Sequence, residues 1–71
     1  MIREGTHVKW AWGSGHAKGT VTERHDESVT RTIDGTEVTR RGDSENPALV
    51  IEQDDGQIVL KSLAEVERAD D

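Results

Sequence analysis

The densest group of chemistry-bearing side chains is Glu23, His25, Asp26 and Glu27. Carboxylate and imidazole ligands suit Zn²⁺ or Mn²⁺. No ligand-spacing motif accompanies them, and only Glu23 and His25 fall on one face of an extended strand. The expectation is a solvated turn, with no bound metal and no cofactor. His7 and His16 flank strands and are expected at the surface. The chain contains no Cys and no Tyr. No Ser has a His and an acid arranged for nucleophilic catalysis, and no carboxylate pair sits in an apolar setting that would tune its pKa. So small a domain is also expected to lack a pocket of ordinary enzyme size, roughly 300 Å³ or more. Catalysis is therefore not expected.

Gly13-Ser14-Gly15 offers backbone N–H groups to an anion. Phosphate loops feed a helix N-terminus or carry a Lys-Ser/Thr pair, and neither follows here. The tripeptide reads as a tight turn between strands. Arg24, Arg31, Arg40 and Arg41, with Lys18, are candidates for phosphate contacts. Arg31 and Arg40 share one face of a predicted hairpin while Arg41 points the other way. Cross-strand pairing with Glu37 and its neighbours is the competing use of these charges.

Trp10 and Trp12 are the whole aromatic content, since Phe is also absent. In an extended strand Val8, Trp10 and Trp12 share a face. Two indoles can each bury roughly 150–250 Å², so the Val8–Gly13 stretch is expected to seed the core. Trp10 is the core anchor. Trp12, at the strand end beside the Gly-Ser-Gly turn, is the ring placed to meet a partner.

These residues need strands to position them. The first runs about His7 to Trp12 and the second about His16 to His25. Gly19 is expected to mark a bulge or a close approach by another element, an indole being the candidate. Asp26-Glu27 turns the chain. Ser28–Ile33 and Thr36–Arg41 form a hairpin across Asp34-Gly35, a pair suited to a type I′ turn. Neither of its faces is truly apolar, so it is expected partly outside the core and mobile. Gly42–Pro47 reads as an exposed, flexible loop. Ala48–Gln53 pairs with Gln57–Lys61; a two-residue Asp55-Gly56 turn puts Ile51 opposite Leu60. Leu49, Ile51, Ile58 and Leu60 then form one apolar face. Ser62-Leu63-Ala64-Glu65 fits a capping box on one helical or 3₁₀ turn, followed by a short strand, Val66 to Ala69. A helix from Ser62 to Arg68 is the alternative.

The 71 residues form one domain, 1–71. Such a chain buries only about 60% of its unfolded surface. Its core must come from seven Val, four Ile, three Leu, two Trp and some Ala. The formal charge of −6 is uneven. Residues 1–42 carry seven basic against six acidic side chains, residues 43–71 two against nine. An acidic chain is repelled by phosphate backbones and anionic lipid, so nucleic acid is disfavoured and no membrane partner is expected. No apolar run is long enough to span a bilayer, and Met1–Gly5 lacks the apolar core of a secretory signal. The start at Met1 and the acidic end Asp70-Asp71 suggest a complete small protein. With no cysteine, the expectation is a cytoplasmic one.

Short strands, two Asp-Gly hairpins and a one-turn connection describe a small all-β, SH3-like barrel of about five strands. Val8-Lys9-Trp10-Ala11-Trp12-Gly13, Gly19-Thr20-Val21, Val29-Thr30-Arg31-Thr32-Ile33, Glu37-Val38-Thr39-Arg40, Asn46-Pro47-Ala48, Asp55-Gly56 and Val59-Leu60-Lys61-Ser62 resemble, in order, the hypervirulence-associated protein Tudor-domain family. The resemblance implies a Tudor-like SH3-type barrel. It departs from Tudor domains that read methylated side chains, which resemble one another in a cage of three or four rings. Here there are two rings, and Leu49 stands where an aromatic is expected in relatives. A single free ring gives little selectivity for a cation.

The expected role is a non-catalytic interaction module for a protein or peptide. Trp10, Trp12, Ser14, Arg31 and Arg40 are its candidate partner-binding residues, with Trp12, the Gly13–Gly15 turn and the Asp43–Pro47 loop forming the surface. Nucleic-acid binding through the Arg-bearing hairpin is the alternative. A third possibility is a homo-oligomer joined at the hairpin's edge strand; monomer and oligomer remain open alternatives.

Overall fold

The computed structural model describes residues 2–69; Met1 and the acidic end Asp70-Asp71 lie outside them. Seven strands and one 3₁₀ turn follow the chain: β1 (His7–Trp12), β2 (Gly15–His25), β3 (Val29–Ile33), β4 (Thr36–Arg40), β5 (Ala48–Gln53), β6 (Ile58–Ser62), the turn Leu63–Glu65, and β7 (Glu67–Arg68). Five strands make an antiparallel sheet in the order β6-β5-β2-β1-β7, and β3-β4 form a separate ribbon. The architecture is all-β. Among the described residues no helix is long and apolar enough to cross a membrane.

Local turn chemistry sets the first two hairpins. Trp12 pairs with Gly15 across Gly13-Ser14, with Gly13 at φ +56°, as a hairpin turn with glycine in its first central position requires. Asp34 and Gly35 both adopt positive φ, 51° and 78°. Ile33 then faces Thr36 and Arg31 faces Val38, in the predicted register.

The third hairpin differs from expectation by one residue. Ile51 pairs with Val59, and Leu60 pairs with Val50. The loop is Asp54-Asp55-Gly56, closed by Gln53 N–H on Gln57 O at 2.7 Å and Gly56 N–H on Gln53 O at 2.8 Å. Gly56 at φ +91° completes it, as in three-residue hairpins that end in a left-handed residue. One residue of slip exchanges the two faces of a strand. Leu49 and Ile51 therefore join Val8, Trp10 and Val21 in one cluster, with Val59 packed against it. Val50 and Leu60 join Ala48 and Val29 in a second, flanked by Ile58, Ile33 and Val38. β5 is the wall between them, with Ala48, Leu49, Val50 and Ile51 all buried.

Three further expectations are refined. Gly19 does mark a close approach, but by β5 and not by an indole: a Cβ there would lie 2.6 Å from the Glu52 carbonyl oxygen and 2.7 Å from Ile51 Cγ2. The bulge in β2 falls later, between Val21 and Glu23. The β3-β4 ribbon stands outside the main sheet, yet Val29 is buried and Ile33 and Val38 pack on the second cluster. Each apolar side chain on that mixed face finds β5 or β6. The Gly42–Pro47 segment is tied down. Asp43 Oδ1 accepts from the N–H groups of Glu45 (2.9 Å) and Asn46 (2.8 Å). Asn46 Oδ1 accepts from Ala64 N–H at 2.9 Å, and Pro47 is buried.

The segment after β6 forms as the capping-box pattern predicts. Glu65 Oε1 accepts from Ser62 N–H at 2.9 Å and from its Oγ–H at 3.0 Å. β7 follows and pairs with β1, closing the sheet's far edge over Val8.

Candidate functional site

The two indoles of β1 have separate fates. Trp10, opposite Ala17 in mid-strand, is 5% exposed within the first cluster. Trp12, paired with Gly15 at the strand's end, is 72% exposed and is the one large exposed hydrophobic side chain among the described residues.

Beside them lies an open groove of about 480 Å³. Trp10, Trp12 and Ala17 form one wall, Ile33, Val38 and Arg40 the other, and β6 lies between them. A domain this small was expected to leave no such space. It exists because the β3-β4 ribbon packs on the main sheet without pairing to it, so that β6 ends that sheet unpaired. The groove's ionisable lining is Asp55, Arg40 and Lys61. Its lining includes no Ser, Thr, Cys or His.

Of the sequence-predicted residues, Trp10, Trp12 and Arg40 meet at this groove; Ser14 and Arg31 do not. Ser14 is exposed at the tip of the β1-β2 turn. Arg31 Nη2 reaches β2 and donates to Glu23 Oε1 at 2.7 Å, while Nη1 donates to the Thr30 carbonyl of its own strand at 3.0 Å. His25 Nε2 also lies 2.7 Å from Glu23 Oε1. The contact with His25, aided by Arg31, outweighs partial desolvation and holds the Glu23 carboxyl below its usual range. This trio joins the end of β2 to the β3-β4 ribbon. Among the described residues no group of three or more His, Cys, Asp or Glu side chains converges as metal ligands would.

Arg40 reaches across to β6. Its Nε donates to the Leu60 carbonyl at 3.3 Å and lies 3.5 Å from Glu65 Oε1. Burial alone would raise the Glu65 pKa, but the Ser62 donors and the Arg40 and Lys61 charges lower it overall. The expected pairing of the arginines with Glu37 is thus replaced by Glu23 and Glu65. Arg24 is also engaged, donating from Nη1 to the Ile2 carbonyl at 3.2 Å.

Residues 5–66 match the family model for the hypervirulence associated protein TUDOR domain. The chain belongs to that family. Its Tudor domain is the small β barrel that the strands and their turns describe, and family membership fits a small interaction module. No curated protein and no solved structure matches the chain. The domain's groove carries one exposed ring, with Trp10 as part of a wall and Leu49 fully buried.

Sequence reasoning did not find the β6 wall of the groove. Gln57 to Lys61 read as a core strand, and the signal that it ends a sheet is absent from its residue types. The Asp43–Pro47 loop, expected beside Trp12, packs instead on the 3₁₀ turn through Asn46.

Proposed function

We propose that this Tudor-like domain is a non-catalytic, cytoplasmic interaction module that binds a protein or peptide segment in the groove between Trp12 and the β3-β4 ribbon. The observation that carries the reading is the 72% exposed Trp12 beside an open groove of about 480 Å³. Amphipathic rings are enriched at interfaces, and clefts of about 300–1,000 Å³ are typical of ligand sites. Nucleic acid is less well supported, because the chain's net charge of −6 repels a phosphate backbone and Arg31 is held by Glu23.

The test is an amide and indole chemical-shift titration with a pool of synthetic peptides. Binding at the groove shifts the Trp12 indole together with Ile33, Val38 and Lys61, and Trp12→Ala weakens it. Responses confined to other surfaces, and unchanged in Trp12→Ala, would refute the reading.

A further inference from the structure

A groove on one face of a strand is lined by alternate residues, because successive side chains point to opposite faces. This groove is lined by five consecutive residues, Gln57, Ile58, Val59, Leu60 and Lys61. Only a strand's edge presents such a run. β6 is the edge of its sheet; β4 flanks it without pairing and meets it at Arg40 and Leu60, and the open space borders the rest of that edge, where another strand would pair.

The direction of the backbone groups follows from the ladder. Gln53 N–H donates to Gln57 O and Leu63 N–H to Pro47 O. In an antiparallel pair alternate residues exchange both bonds, so Gln57, Val59, Lys61 and Leu63 turn their backbone to β5. Ile58, Leu60 and Ser62 turn theirs outward. Two outward groups already have partners: the Leu60 carbonyl accepts from Arg40 Nε, and Ser62 N–H donates to Glu65. The outward N–H and C=O of Ile58 stand at the groove, with a half-buried side chain. Strand addition thus has a start at Ile58 and a stop at Arg40.

Charge is graded along the same edge. Arg40 and Lys61 stand at the stop. Past Ile58 the groove continues into a space of about 290 Å³ lined by Ile33, Asp34, Gly56 and Gln57, with Asp55 nearby in the lining of the main groove. In a chain of net charge −6, Arg40 and Lys61 outnumber the carboxylate beside them, Glu65 at 3.5 Å from Arg40 Nε, so this end stays net cationic and faces an apolar channel.

We propose that the groove takes an extended peptide by β-strand addition to the edge of β6. The guest pairs with the Ile58 backbone and places an acidic side chain at Arg40 and Lys61. Its alternate side chains meet the Trp10–Trp12 wall and the Ile33–Val38 wall, so backbone pairing supplies affinity and the two walls supply selectivity. This rests on the binding reading above and adds its mode and the chemistry of its partner.

The probes are N-acetylated, C-amidated hexapeptides of alternating Val and Thr, with Glu, Gln or Lys at either end. The Glu peptide is expected to bind about tenfold more tightly than the Gln peptide, and the Lys peptide most weakly. That preference shrinks in Lys61→Gln and in Arg40→Gln. Hydrogen exchange at the Ile58 amide slows about tenfold or more on binding, and N-methylation of the guest's pairing amides abolishes the effect. Shifts at Trp12 and Val38 without protection of Ile58 overturn strand addition and leave the binding reading intact. No groove response to any hexapeptide at about 1 mM overturns the inference; the peptide pool then judges the wider reading separately. Protection of Ile58 without peptide, rising with protein concentration alongside a doubled mass in light scattering, assigns the edge to a second copy and also overturns it.

Discussion

Gly19→Ala tests whether the core is built as described. The new methyl carbon would lie 2.6 Å from the Glu52 carbonyl oxygen and 2.7 Å from Ile51 Cγ2. The Ile51 methyl can move by a rotamer change, though Ile51 is fully buried. The carbonyl cannot move alone, because it belongs to β5, the wall between the two clusters. Relief therefore requires β2 and β5 to separate locally. Overpacking of this kind costs about 1–3 kcal/mol. Restricting the unfolded chain by Gly→Ala returns about 0.4–1 kcal/mol. The net loss centres on about 1.3 kcal/mol and reaches at most about 2.6 kcal/mol, from a total of about 4–11 kcal/mol for a chain this long. In a domain of this size the central value lowers Tm by about 5–10 °C. Gly15→Ala is the matched control on the same strand, since a Cβ there meets nothing within 4 Å. Thermal melts followed by circular dichroism, with urea unfolding as a second measure, compare the two. A Gly19→Ala variant as stable as Gly15→Ala would refute the close packing of β2 on β5.

Three other outcomes are expected. Trp10→Ala removes a buried indole and costs about 3–5 kcal/mol, a large share of the total of about 4–11 kcal/mol, while the exposed Trp12→Ala changes stability by about 0.5 kcal/mol or less; paired urea titrations measure both. Glu65→Ala removes the acceptor of Ser62 N–H and Oγ–H and lowers stability by about 1 kcal/mol, visible as a lower urea midpoint at an unchanged slope. The folded-state pKa values of Glu23 and Glu65 both lie below the ordinary value of 4.5. Their contribution is thus fully present above the unfolded pKa and is lost as pH falls through the folded values; urea midpoints should be flat above about pH 6 and fall below pH 4.5, with a smaller acid loss in Glu23→Gln. A midpoint that rises on acidification through this range contradicts both contacts.

What the chain determines by itself is local. Asp34-Gly35 specifies its turn because both residues accept positive φ, and that turn alone sets the β3-β4 register. Ser62 and Glu65 are three residues apart, so the 3₁₀ turn follows from chain geometry. The family-matching blocks and the difference between mid-strand Trp10 and strand-end Trp12 are legible for the same reason. The tertiary structure decides what depends on partners distant in sequence. Asp54-Asp55-Gly56 is compatible with a two- or a three-residue turn, and packing of Leu60 with Val29 and Val50 accompanies the longer one. Arg31 and Arg40 pair with Glu23 and Glu65 from other elements, while Glu37, opposite Thr32, lies on the other face of the ribbon. The groove is wholly a product of assembly. No residue type between Gln57 and Lys61 marks an open edge; β6 becomes one because the β3-β4 ribbon, inserted between β2 and β5 in the chain, packs against the main sheet without pairing to it.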